Sequence, residues 1–165
     1  MPDHPLPPVF STDPLSPPRV LILGSFPSVK SRETAFFYGH PQNRFWRVMA
    51  AVLGQPVPDT VEEKITLLTA HGIALWDVIA SCDIQGSADS SITNVVPTDL
   101  TPILAAGTVR AVFTNGTAAT SLYHRYQEPL THIPSIQLPS TSPANAAYSP
   151  DRLIQAWSII RSHLY

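Results

Sequence analysis

Nine consecutive residues carry the side chains that a site for a nucleobase would need. They run Tyr38-Gly39-His40-Pro41-Gln42-Asn43-Arg44-Phe45-Trp46 and include three aromatic rings, an imidazole, two amides and a cation. An aromatic ring can stack on a base, and an amide can read a base edge or hold a water molecule. The segment therefore predicts base recognition. His40 could donate to a phosphate or to a leaving base, and its turn with Pro41 could equally be structural.

A second segment is rich in hydroxyl groups and prolines. It runs Leu138-Pro139-Ser140-Thr141-Ser142-Pro143-Ala144-Asn145. Hydroxyl and backbone N–H groups bind phosphates without a formal charge, and prolines make a loop rigid. The composition therefore favours a loop that contacts a nucleic-acid backbone, with a plain surface turn as the alternative.

Alternating strands and helices must position these two segments. Short apolar runs predict buried strands, and helical spacing, caps and a Thr60–Glu63 capping box predict helices. The predicted strands are Arg19–Gly24, Ile73–Ile79, Val109–Thr114 and Ile133–Leu138. The predicted helices are Asn43–Leu53, Thr60–His71 ended by Gly72, Thr98–Ala106 capped by Thr98, one that follows the Asn115-Gly116 turn and runs to Tyr126, and a last one that begins at Ser149-Pro150-Asp151.

This order predicts an α/β fold, a three-layer sandwich with a central, mostly parallel four-stranded sheet. Ligands of such folds lie at the carboxyl ends of the strands. That edge would bring together Gly24–Asn43, Trp76–Asp89 and Leu138–Ala146. Asp77 and Asp89 are the acids nearest to it.

The composition predicts one domain, residues 19–165, behind a tail, residues 1–18, that holds seven of the 18 prolines. Such a tail is expected to be extended and laid on the surface, with the fold beginning at Arg19. No apolar run approaches the roughly 18 residues of a membrane span, and the start lacks a signal-peptide layout. The single cysteine, Cys82, excludes an internal disulfide. We expect a cytoplasmic monomer.

The charge is unevenly distributed along the chain. The net charge is −2, yet residues 19–47 hold five cations against Glu33 alone, a local balance of +4 that leaves −6 for the remainder. A basic face on an acidic protein suits a nucleic-acid partner that is touched at one site. Ordinary solvated surface charge is the alternative.

Sequence motifs for several other chemistries are missing. The chain has no GxGxxG, no phosphate-binding glycine loop and no GxSxG nucleophile turn. Its six histidines, at positions 4, 40, 71, 124, 132 and 163, show no zinc-type pairing. The sequence predicts neither a metal nor an organic cofactor.

Three groups of residues carry a resemblance to the uracil-DNA glycosylase superfamily. Gly24-Ser25-Phe26-Pro27, Tyr38–Trp46 and Leu138–Pro143 resemble its two active-site motifs, and His40–Trp46 is similar to the same stretch in mismatch-specific uracil-DNA glycosylases. The wider pattern is most similar to the hypoxanthine-DNA (deoxyinosine) glycosylase branch. It includes Gly72–Ile79, Gly86-Ser87-Ala88-Asp89 and Asn115-Gly116, and the resemblance runs from about Arg19 to Trp157.

The resemblance implies roles for individual residues. A base would leave C1′ with an oxocarbenium-like sugar that water then attacks, and Asn43, Asp77 and Asp89 are the candidates for this chemistry. Asn43 could instead cap the following helix, or do both; Asp77 requires a partner if buried; Asp89 could instead cap a turn. The expected base-binding residues are Gly24, Ser25, Phe26, Tyr38, His40 and Asn115. The expected DNA-binding residues are Lys30, Arg44, Ser140, Thr141, Ser142, Pro143 and Ala144.

One position departs from the mismatch-specific enzymes. Their first motif reads Gly-x-Asn-Pro-Gly, and its Asn positions the water, whereas Phe26 stands at that place here. Because phenylalanine cannot orient water, the resemblance favours the deoxyinosine branch, passes the amide role to Asn43 and leaves Phe26 to close the pocket.

The sequence therefore predicts a monofunctional DNA glycosylase that acts on deaminated or mispaired bases, with deoxyinosine preferred and uracil in G:U mismatches as the alternative. A damaged-base reader without turnover is the rival class. A nucleotide-binding or hydrolase domain is a weaker rival, because no phosphate-binding glycine loop is present.

Overall fold

Four parallel strands form the central sheet in the computed structural model, which describes residues 6–26, 36–83 and 93–164. Their bounds are β1 Val20–Gly24, β2 Ile73–Asp77, β5 Ala111–Asn115 and β6 Ser135–Leu138. The strand order is β2-β1-β5-β6. Gly24 pairs with Asp77, and Asn115 with Leu138, so the four carboxyl ends share one edge of the sheet.

Helices cover both faces of this sheet, which confirms the predicted three-layer sandwich. Successive strand residues point to opposite faces: Val20 and Ile22 belong to one core cluster, Leu21 and Leu23 to the other. The first cluster is covered by α1 Phe45–Leu53, α2 Val61–Thr69 and α6 Pro150–Trp157, and the second by α3 Thr101–Ala105 and α4 Thr117–Tyr126. The shorter helices are α5 Glu128–Thr131, a 3-10 turn Ser158–Ile160 and α7 Arg161–Leu164. None of these helices is long and apolar enough to cross a bilayer.

The sequence analysis missed an antiparallel hairpin, β3 Ile79–Asp83 with β4 Thr93–Pro97. The predicted strand Ile73–Ile79 in fact ends at Asp77. Beyond it, the N–H groups of Val78 and Ile79 donate to the carbonyls of Gly24 and Ser25, at 2.8 and 3.1 Å. The chain then leaves the parallel sheet and pairs with β4.

Two of the predicted helix caps are present in the structure. Thr60 and Glu63 form the predicted capping box, and Ser149 caps α6 by accepting from Arg152 N–H at 3.2 Å. The prediction that Thr98 caps a helix is wrong. The helix begins at Thr101, and the Thr98 hydroxyl donates to the Asp77 carbonyl at 2.7 Å.

The proline-rich segment packs more closely than predicted. It is extended, but Leu6 and Val9 are buried in the core, only 4% and 6% exposed. Val9 also forms an isolated antiparallel bridge with Leu75, with bonds of 2.9 and 2.8 Å. The packed structure therefore starts before Arg19, where the sequence analysis placed its beginning.

Candidate active site

The site lies where β1 and β2 end. Gly24 and Asp77 are register partners, and a Cβ atom added to Gly24 would collide with Asp77 Oδ1 and lie 3.0 Å from the Tyr38 hydroxyl oxygen. Asp77 is 3% exposed. Because Gly24 has no side chain, the buried Asp77 carboxylate and the Tyr38 phenol can lie close together over the end of β1. The sequence analysis expected the two segments that carry them to meet at this edge, but not this arrangement of the two side chains.

Tyr38 is held in an uncommon conformation beside these groups. Its φ of 53° lies in the left-handed region, which is costly for a residue other than glycine and is often found at functional sites. Its ring stacks on Phe45, with ring centroids 4.2 Å apart and planes 16° apart. One face of the tyrosine ring is thus covered by Phe45.

Asn43 stands one residue before the N-cap of α1, which is Arg44, so the interpretation of Asn43 as the N-cap is wrong by one position. Its Oδ1 accepts the Phe45 N–H at 2.9 Å, and its own backbone N–H donates to the His40 carbonyl at 3.0 Å. Among the described residues the Asn43 Nδ2 group makes no hydrogen bond. The bond from the Phe45 N–H therefore fixes the plane of the Asn43 amide and leaves its two Nδ2 hydrogens for another partner.

His40 takes part in the same turn. Its Nδ1 accepts the Gln42 N–H at 3.1 Å. A ring that accepts at Nδ1 is neutral and carries its hydrogen on Nε2. The structural role of the His40-Pro41 turn is therefore present, and Nε2–H remains a donor.

Arg44 does not have the geometry of a phosphate-binding residue. It is 8% exposed, and its guanidinium donates to four loop carbonyls, those of Thr141, Ser142, Asn145 and Tyr148. The Arg44 side chain is committed to the loop in this structure, and its direct contact with DNA stays a prediction.

Thr141 and Asn115 also hold the loop rather than face a ligand. Thr141 is fully buried, its N–H donates to Asn115 Oδ1, and Asn115 Nδ2 donates to its hydroxyl, both at 3.1 Å. The Thr141 side chain is turned inward in this structure, and its contact with DNA stays a prediction. Asn115 uses one donor and one acceptor of its amide in this pair, and its role in binding a base also stays a prediction.

The loop that follows β6 presents its tip to solvent. Ser140 and Ser142 are half-buried, and their hydroxyls accept the N–H groups of Ser142 and Ala144 at 3.1 and 3.2 Å. Pro143 and Ala144 are exposed. The loop borders an open groove of about 620 Å³ that Gly116, Thr117, Gln137 and Tyr148 complete.

Phe26 packs into the core cluster on the α4 side of the sheet and is 8% exposed. Ser25 accepts a backbone bond from Ile79. Lys30 and Asp89 lie outside the described residues.

The predicted basic face is only partly assembled in the described part of the chain. The Arg19 guanidinium donates to the Leu164 carbonyl at 2.9 Å, at the amino end of β1 and away from the site. Arg44 is buried, while Arg47 is exposed on α1. Lys30, Arg32 and Glu33 are outside the described residues. In the same described part, no group of three or more His, Cys, Asp or Glu residues could hold a metal ion.

Known proteins resemble both the sequence and the fold. Residues 10–161 match the family model of the uracil DNA glycosylase superfamily. A hypoxanthine DNA glycosylase of Methanosarcina acetivorans is 32% identical over 150 residues, which cover 88% of this chain and 91% of the relative. One of Methanosarcina barkeri is 33% identical over 75 residues, 45% of this chain and 48% of the relative. The solution NMR structure of a candidate uracil DNA glycosylase from Methanosarcina acetivorans superimposes with a TM-score of 0.78 at 30% identity, covering 96% of each chain.

Proposed function

The chain belongs to the uracil DNA glycosylase superfamily, and we propose that it is a monofunctional DNA glycosylase that removes hypoxanthine from DNA. The observation that carries this proposal is the convergence of Asp77 and Tyr38 over Gly24 at the sheet edge. Asn43 is tied to the same place through Phe45, because its Oδ1 accepts the Phe45 N–H and the Tyr38 ring stacks on Phe45. The names of the relatives support hypoxanthine as the base. DNA with a deaminated or mispaired base is the substrate, and a cytoplasmic monomer is the expected form of the protein.

The proposed reaction is hydrolysis of the bond between C1′ and N9 of the purine. The bonding electrons leave with the base, water adds to the oxocarbenium-like C1′, and the proton released by water ends on the base. Asp77 would stabilise the positive sugar or accept the water proton. Its burial strengthens that interaction, because few water molecules screen it.

Tyr38 and Asn43 would recognise the extruded base. The ring face of Tyr38 opposite Phe45 would stack on the purine, and stacking is worth about 1–3 kcal/mol per base. Asn43 Nδ2 would donate to the base carbonyl, on which negative charge develops as the bond breaks. Phe26 would line the wall of this pocket without chemistry of its own.

The loop tip would approach the DNA strand beside the emptied position. It carries small residues, Pro143 and Ala144, in place of a large wedge. Base extrusion would therefore depend on weak pairing at the lesion, since opening an intact pair costs a few kcal/mol more. The protein should prefer inosine in mispairs or single strands over inosine in a stable pair.

A single panel tests this function. Duplexes with inosine, uracil, xanthine or thymine, each opposite all four bases and also as single strands, are incubated with the protein, and abasic sites are revealed by alkaline cleavage. Inosine cleavage that is fastest in weak pairs supports the proposal. Preferred cleavage of uracil opposite guanine would support the mismatch-specific alternative. That alternative rests on the His40–Trp46 segment, which is similar to the same stretch in mismatch-specific uracil-DNA glycosylases. Binding without cleavage would select a damaged-base reader and overturn the proposal.

A further inference from the structure

Arg44 connects the base-recognition segment to the loop after β6, and we propose that it is a positioning residue for base excision. It would fix the loop, residues 139–148, in one place relative to the neighbouring Asn43. The expected effect of Arg44 on catalysis rests on the proposed function, whereas its expected effect on the loop rests on the structure alone.

The contacts are numerous for a single side chain. The Arg44 backbone N–H and Nε both donate to the Thr141 carbonyl, at 3.1 and 3.4 Å. Nη2 donates to the carbonyls of Ser142 and Asn145 at 2.7 and 3.0 Å, and Nη1 donates to the carbonyl of Tyr148. One residue thus satisfies four carbonyl groups in a segment that has no regular backbone ladder to satisfy them.

Only arginine can make this set of bonds. Its planar guanidinium presents five N–H donors in a rigid fork, whereas the lysine ammonium is a point charge with three donors on a flexible stem. Among the described residues Arg44 forms no ion pair with a carboxylate. Its charge is therefore directed at carbonyl dipoles, and its role is geometric.

The fixed end of this connection is the start of α1. Asn43 and Arg44 are adjacent, and Asn43 Oδ1 accepts the Phe45 N–H, which locks the turn that carries both residues. The loop has a second anchor, because Thr141 is also bonded to Asn115 at the end of β5. Removal of the Arg44 side chain should leave Thr141 near its place and release the part of the loop from Ser142 to Tyr148.

A released loop should lower the rate of base excision more than the affinity for DNA. A misplacement of about 1 Å away from the reacting atoms can cost about a hundredfold in rate. A direct phosphate contact would behave differently, since its loss weakens binding and reduces the salt dependence of binding. Arg125 is the control, because it is an exposed arginine on α4, outside the predicted basic face.

The test compares Arg44→Lys, Arg44→Ala and Arg125→Ala with the parent. We measure the single-turnover excision rate at saturating protein on an inosine duplex, the dissociation constant as a function of salt, and amide hydrogen exchange over residues 139–148. Both Arg44 variants should keep a cooperative melting transition, lose about ten- to a hundredfold in rate and exchange faster in the loop. Millimolar guanidinium should restore part of the rate of Arg44→Ala, and Arg125→Ala should keep the parental rate.

Several results would overturn the proposal. Restoration of the rate by Arg44→Lys would assign Arg44 a charge role, and unchanged loop exchange in both variants would deny it a positioning role. Failure of both variants to fold would make Arg44 a residue of the core, since a residue that acts on the loop alone leaves the sheet intact. If the parent itself excises no base, the proposed function fails, while the exchange measurement still decides whether Arg44 holds the loop.

Discussion

Asn115 and Thr141 form two hydrogen bonds with each other across the end of the sheet. The Thr141 N–H donates to Asn115 Oδ1 and Asn115 Nδ2 donates to the Thr141 hydroxyl, both at 3.1 Å. Thr141 is fully buried, so neither of its polar groups can turn to water if Asn115 is lost. The loop that borders the site is therefore fastened to β5 by one amide side chain.

Asn115→Ala should destabilise the protein and slow base excision. Leaving a buried donor and acceptor without partners costs about 1–3 kcal/mol, which chemical denaturation will measure. Gln137→Ala is the control, because Gln137 is exposed and its side chain, within the described part of the chain, donates to the Thr117 hydroxyl alone, at 3.3 Å. A change of less than about 0.5 kcal/mol, typical of surface substitutions, is expected for the control. The same small change for Asn115→Ala would contradict the role given to this pair.

Gly24→Ala should fold and lose most base excision. The new methyl group would collide with Asp77 Oδ1 and approach the Tyr38 hydroxyl, and a shift of about 1 Å in a reacting group can cost about a hundredfold. Gly54→Ala is the matched control. Gly54 has a φ of 66°, so alanine there is strained by about 1–2 kcal/mol, but no atom lies within 4 Å of the added Cβ. Single-turnover rates that fall equally in both variants would argue that Gly24 matters only for stability.

Tyr38→Phe should keep most of the excision activity. Tyr38→Ala should lose the free energy of stacking on one base, about 1–3 kcal/mol. The ring, stacked on Phe45, provides the platform, and the hydroxyl is secondary to it. Rates and dissociation constants on an inosine duplex measure both variants. Equal losses in the two would assign the function to the hydroxyl instead.

Phe26→Asn should gain or raise uracil excision. The substitution supplies an amide at the place where mismatch-specific relatives hold their water. Because Phe26 is buried, its truncation should also cost stability, about 3–5 kcal/mol by comparison with phenylalanine-to-alanine changes in cores. Phe26→Leu, which shortens the side chain without adding an amide, is the control, and a melting curve establishes that both variants fold. A folded Phe26→Asn with no more uracil activity than Phe26→Leu would count against the alignment of the first motif.

Much of the fold was predictable because its signals are local. Apolar runs that end in Gly24, Asp77 or Asn115 are buried strands, and the Thr60–Glu63 capping box starts a helix where the sequence places it. The hairpin of β3 and β4 was missed because Ile79–Asp83 carries a weak pattern and is paired through distant residues. Leu6 and Val9 were missed because their burial depends on the edge of β2 rather than on their proline-rich surroundings.

The candidate site, like the fold, could be predicted from the sequence only in part. The segment from Tyr38 to Asn43 and the acid Asp77 were predictable from residue type and from the edge where parallel strands end. The role of Arg44 was not, because a sequence gives an arginine its charge but not its partners. Those partners lie 97 to 104 residues away along the chain. The convergence of Asp77 and Tyr38 over Gly24 likewise appears only once the strand register is known.

The most direct test of the account measures free hypoxanthine released from an inosine duplex under single-turnover conditions by the parent, Asn43→Ala and Asn43→Asp. Alanine removes both the Oδ1 acceptor of the Phe45 N–H, worth about 1 kcal/mol of stability, and the Nδ2 donor. Aspartate retains an oxygen that accepts the Phe45 N–H and replaces the donor with a negatively charged oxygen. The account predicts that the parent releases hypoxanthine, that both variants lose about a hundredfold or more in rate, and that Asn43→Asp keeps the parental melting temperature more closely than Asn43→Ala. No release by the parent, or a rate for Asn43→Asp within a few-fold of the parent, would contradict it.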